Sequence, residues 1–114
     1  MRIIDLNSLT TAPVLEYQST NAGSAGIGQG RGDSHIYWLR FAPGGSIGPH
    51  PAGLAQLLIP LEGRGWAAGP DAVRHPIALG QLAFIAPGEL HSKGSEDGMK
   101  ALMIQISAIA LESR

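Results

Sequence analysis

Residues 48–63 read GPHPAGLAQLLIPLEG, and the fold turns on how this stretch is understood. His50 is followed two residues later by Ala52, and four residues after that by Gln56. Alternate side chains of an extended strand share a face, so a second imidazole at position 52 would point with His50 at one ion. A methyl stands there instead. At Gln56 a neutral amide takes the place where a carboxylate would be the natural ligand. The stretch has the cadence of a metal-binding turn with half of its ligands replaced.

Outward from it, the chain has a strand rhythm. HIYWLRF, residues 35–41, is aromatic and β-branched and is closed by Ala-Pro-Gly-Gly. Alternation places His35, Tyr37, Leu39 and Phe41 on one face, and Ile36, Trp38 and Arg40 on the other. Short runs follow, each ended by Gly, Pro or Asp-Gly: LAQLLIPLEG, GWAAG, AVRHPIALG, QLAFIAPG and MKALMIQISAIAL. No helical period is sustained, the last few residues being the one place where a helix is conceivable. Residues 1–20 read as an edge segment with a strand near Val14–Tyr17. AGSAGIGQGRG, residues 22–32, reads as a flexible loop or wide turn. Its glycines do not complete a dinucleotide fingerprint, and the Arg-Gly-Asp at 31–33 is a common accident. The expectation is an all-β barrel or sandwich of roughly eight to ten short strands.

Composition agrees. The chain has 114 residues, 44% hydrophobic and 15% charged, which suits one folded domain with a modest core. Sixteen glycines and eight prolines, scattered along the chain, fit frequent tight turns and argue against a helical bundle. A net charge of −1 points to no nucleic-acid or membrane partner. There is no cysteine, so disulfides, zinc–thiolate sites and cysteine nucleophiles are excluded. With no signal-peptide pattern and no apolar span, a cytoplasmic location is expected.

Two segments carry a resemblance. The first runs from Gly44 through His50, Ala52 and Gln56 to Gly63. The second runs from Gly80 through a strand to Ala86-Pro87-Gly88-Glu89-Leu90-His91. Together they resemble the two signature motifs of the cupin superfamily, over residues 34–107. Within it the chain looks like small single-domain RmlC-like members of unsettled activity. Gly44, His50, Gly63, Gly80, Gly88 and His91 stand at the family's separations. Ala52, Gln56 and Ala86 replace the second His, the Glu and the first Pro. The resemblance implies a cupin-type conical jelly-roll β-barrel over 34–107. An N-terminal edge strand and Gly-rich loop (1–33) would precede it, and a short tail (108–114) would follow. It also implies a homodimer, which would cover exposed sheet edges.

The resemblance further implies that His50 and His91 converge inside the barrel with Gln56. The surviving metal set is then His50, Gln56 and His91, two imidazoles and an amide. All are neutral and much weaker than a four-ligand centre. No cofactor is fixed by the sequence; the site admits a divalent transition metal such as zinc, nickel, iron or manganese. Glu89 lies two residues before His91 and would share a face with it if that stretch is extended, which makes it a conceivable replacement carboxylate, although a rim glutamate is the preferred reading. The same three residues, with Trp66 as an aromatic wall, outline a pocket for an unknown small molecule. Packing is the plainer account of both Trp38 and Trp66. His35, Tyr37, His50 and His91 are the candidate acid–base residues if the protein turns a substrate over. His75 reads as surface, and Phe84 and Met103 as core. Two functions follow: a binding module, which the depleted ligand set favours, or an enzyme. The enzyme would be a metal-dependent oxygenase or isomerase, or a metal-free His-based epimerase or lyase.

Overall fold

The computed structural model describes residues 1–112, and among them eleven strands and one 3₁₀ turn form three sheets. The strands are β1 (Arg2–Asp5), β2 (Ala12–Pro13), β3 (Gly23–Ser24), β4 (Gly28–Phe41), β5 (Ser46–Pro51) and β6 (Ala55–Gly63), followed by β7 (Gly65–Ala68), β8 (Arg74–Ile77), β9 (Gln81–Ile85), β10 (Leu90–Gly94) and β11 (Met99–Leu111). The 3₁₀ turn, Leu6–Ser8, is capped by the Asp5 side chain on the Asn7 N–H. A five-stranded sheet in the order β1-β9-β6-β11-β4 faces a four-stranded sheet in the order β5-β10-β7-β8. Each neighbouring pair is antiparallel. This is the expected two-sheet barrel, and the runs LAQLLIPLEG to MKALMIQISAIAL each deliver one strand.

The core lies between the sheets. Phe41, Leu58, Ala83, Met99, Ala101 and Met103 from the large sheet meet Ala67 and Ile77 from the small one, with Ile3, Leu39 and Ile47 packed against them. Alternation explains the choice, since Leu58, Met103 and Ala83 are register partners on one face. Phe84, expected in the core, is only half-buried. Ala83 and Ile85 on either side of it take the inner face, so Phe84 pairs with Arg2 and Leu57 on the outer one.

Four of the glycines that carried the resemblance, Gly44, Gly63, Gly80 and Gly88, all adopt positive φ, between 74° and 86°. An L side chain is strained there, so the turns that close these strands select glycine. At Gly63 an added Cβ would also press on the Gly98 carbonyl.

Both chain ends differ from expectation. The N-terminal strand is Arg2–Asp5, and Tyr17 stands at positive φ in a turn instead of in a strand. β4 already begins at Gly28, inside the expected loop, because β11 runs on to Leu111 and pairs with it. A Cβ on Gly30 would meet the Ile106 side chain, so the glycine-rich sequence lets this ribbon close tightly. The same pairing makes residues 108–111 strand, not tail or helix; 113 and 114 lie outside the described residues. No helix among the described residues is long and apolar enough to cross a membrane.

Candidate functional site

The small sheet brings the two motif histidines together. His50 on β5 and His91 on β10 are direct register partners, and their rings lie 4.5 Å apart between centroids at 54°. The register explains how. Lys93 pairs with Ile47, so β5 spends three residues where β10 spends two. That irregularity, at Gly48-Pro49, restores the inward parity of His50 after Ile47 has packed on the core.

The two rings occupy unlike surroundings. His50 is exposed, and its Nδ1 lies 2.8 Å from the Gly48 carbonyl oxygen, which can only accept, so Nδ1 carries the hydrogen. His91 is 1% exposed, and among the described residues neither of its ring nitrogens has a hydrogen-bond partner. Burial above all, helped by the nearby charges of Lys93, His50 and the chain's N-terminal ammonium, lowers its pKa from 6.5 to about 4. At neutral pH His91 is an uncharged imidazole with an unused N–H and an unused lone pair.

Lys93 completes the cluster, and reading the sequence alone did not single it out. It lies two residues beyond His91, is 1% exposed, and pairs with the core residue Ala67. Its ammonium donates to Gln56 Oε1 at 3.0 Å and lies 3.6 Å from Met103 Sδ. Neither contact offers it a counter-charge. Burial lowers its pKa from 10.5 to about 8, which leaves it mostly protonated at neutral pH. The signal that could have found it was parity, since a residue two along a strand from an inward histidine points inward too.

Several solved structures share this shape. A conserved protein of unknown function from Streptococcus pyogenes superposes with a TM-score of 0.62 at 21% identity, covering 70% of this chain and 69% of that one. A cupin-like protein from Thermotoga maritima gives 0.61 at 20% identity, covering 70% and 65%. A Cupin 2 conserved barrel domain protein from Salinispora arenicola gives 0.59 at 20% identity, over 94% of this chain and 82% of that one.

The chain has the cupin fold.

No protein-family profile and no curated protein matches the sequence, so the likeness is one of fold.

Within this cupin barrel the expected site is rearranged. Gln56 is buried, and its side-chain oxygen accepts from the Lys93 ammonium. Ala52, at the position of the missing imidazole, is buried, with its backbone tied to Gly88 and Glu89 of the second motif. The Glu89 carboxylate is bound by the ammonium of Met1, because β1 runs beside β9 and sets the first residue against the turn after it. Trp66 does not stand beside the two histidines. Its neighbour Ala67 takes the inner face, and the indole lies outside beneath the Arg74 guanidinium, 3.9 Å from the ring centroid. His35 and Tyr37 do continue the inner face of β4 and stack on each other at 6.3 Å, but both are exposed. Through Gln105, His35 lies two strands from Gln56, roughly 10 Å at ordinary strand spacing. His75 is exposed, as expected.

This donor set does not fit a divalent cation. The Gln56 oxygen already accepts from an ammonium, and that positive charge repels any cation brought to His50 and His91. Among the described residues no three His, Cys, Asp or Glu side chains converge. The arrangement suits hydrogen bonding by two imidazoles beside a fixed positive charge.

Proposed function

We infer that this cupin-fold protein binds a small organic molecule inside its barrel, at His50, His91, Gln56 and Lys93, without a metal ion. The supporting observation is His91, a buried imidazole whose two nitrogens have no partner while its neighbour His50 opens to solvent. Buried polar atoms are almost always satisfied, and a site that leaves both nitrogens free is suited to a guest that supplies the missing bonds. Lys93 supports the exclusion of a metal, since it holds a charge of the wrong sign beside the amide. A metal-free acid–base enzyme would use the same residues, with His91 held neutral as the base; binding is the common requirement of both.

Elemental analysis of the purified, tag-free protein tests this. Metal content well below one equivalent is expected, unchanged in His50→Ala and His91→Ala. One equivalent of zinc, nickel, iron or manganese, lost in both variants, would overturn the metal-free reading.

A homodimer is also proposed. Its support is the outer edge of the large sheet, where β4 leaves Ile36 and Trp38 70% and 56% exposed.

A further inference from the structure

The ligand class can be narrowed, on the footing that the barrel interior is the binding site. Lys93 brings a full positive charge into an interior built from Ile47, Ala67, Leu58 and Met103. Among the described residues its only polar partner is the neutral Gln56 oxygen, with the Met103 sulfur beside it. Of the carboxylates near the cluster in sequence, Glu89 is turned to the Met1 ammonium, Asp97 pairs with Arg64, and Glu96 is exposed. Buried charges are ordinarily paired with an opposite charge, and here the described residues supply none. Two residues away, on the same inward face, His91 keeps a ring N–H with nothing to donate to.

We propose that the site takes a small monocarboxylate with a short apolar chain. One carboxylate oxygen accepts from the Lys93 ammonium, the other accepts from His91, and the chain lies among the neighbouring apolar side chains. One negative charge answers the one positive charge that lacks a partner. A phosphate dianion would leave surplus negative charge in apolar surroundings. Charge-assisted hydrogen bonds of this kind are roughly twice as strong as neutral ones, so the charge decides the selectivity.

The probe is propionate, titrated into the wild-type protein at pH 7 while the ring resonances of His50 and His91 are followed by NMR. Propionamide, sodium chloride and inorganic phosphate are titrated in parallel. Saturable shifts of the His91 ring by propionate are expected, with propionamide weaker by about tenfold or more. Lys93→Met should lose at least about tenfold in affinity. Gln56→Glu should lose as much, because it gives Lys93 an internal carboxylate. Circular dichroism checks the fold of each variant, and the propionate–propionamide comparison needs no variant at all. Propionamide binding as well as propionate would leave a small-molecule site but overturn the monocarboxylate. Chloride reproducing the propionate shifts, or phosphate binding more tightly, would overturn it too. Undiminished binding by Lys93→Met would do the same. Stoichiometric metal in the wild type is the separate result that removes the underlying reading.

Discussion

Lys93 and His91 each sacrifice stability to keep a polar group inside the barrel, and pH reads out the cost. For both, the folded pKa lies below the unfolded one, so the unfolded chain binds more protons in the interval between them, and stability rises with pH there. For His91 the interval runs from about 4 to 6.5, and for Lys93 from about 8 to 10.5. At roughly 1.4 kcal/mol per pKa unit, each interval is worth on the order of 3 kcal/mol. Urea denaturation from pH 4 to 10.5 should therefore show two rises separated by a plateau. His91→Phe should flatten the lower rise, and Lys93→Met should flatten the upper one. An unchanged upper rise in Lys93→Met would show that burial does not depress the lysine. Removing the ammonium alone strands the Gln56 oxygen, so the informative stability variant is Lys93→Met with Gln56→Leu. Replacing both polar partners by apolar groups is expected to raise stability by about 1–4 kcal/mol at pH 7, measured by the same denaturation. A polar pair kept at such a cost fits the proposed binding site.

At the scale of the elements, the turns were legible in the sequence because they are dictated by backbone geometry. Gly63 joins β6 to β7 at φ 74°, with the Gly98 carbonyl against the place of its missing Cβ. Gly63→Ala should cost about 2–3 kcal/mol. Gly53→Ala is the control, since open space surrounds its Cβ position and its φ is not positive; it should be neutral or slightly stabilising. Equal losses in the two would remove the geometric explanation of the motif. The meeting of His50 and His91 was legible for a related reason, since strand parity and the family spacing fix both ends. Lys93 was not, because a lysine in a strand is by default a solvent-facing residue. Trp66 was misplaced because an aromatic residue in a four-residue strand suits either face, and its parity with Ala67 decides the matter only once the core is known. The start of β4 was hidden by its glycines, which carry no side-chain pattern and are strand only because β11 pairs with them.

For the whole molecule, the two edges of the large sheet differ in kind. β1 is four residues long and carries Arg2 and Asp5, a short and charged edge of the sort that resists pairing. β4 is fourteen residues long and presents Ile36, Tyr37 and Trp38 at 70%, 45% and 56% exposure. A long edge that exposes an apolar Ile36–Trp38 segment invites another strand, and the partner always at hand is a second copy of the same strand. Antiparallel pairing of β4 with β4 about a two-fold axis would join the two large sheets into one. It would cover Ile36 and Trp38 without touching the cores, in which neither residue takes part. Sedimentation equilibrium at micromolar concentration should find a dimer for the wild type. Ile36→Lys with Trp38→Lys, charges of the kind that natural edge strands use to stay unpaired, should give a monomer. Because both side chains lie outside the core, the variant's hydrogen-exchange protection in β6 and β9 should match the wild type. Loss of protection in β4 alone would mark the interface. A monomeric wild type, or a variant that stays dimeric, would move the assembly to another surface. The comparison bears on the site as well, because His35 and Tyr37 lie on the inner face of this same edge. If the β4 pairing holds, it sets them beside the seam, and their ring resonances should shift between dimer and monomer while those of His91 stay fixed.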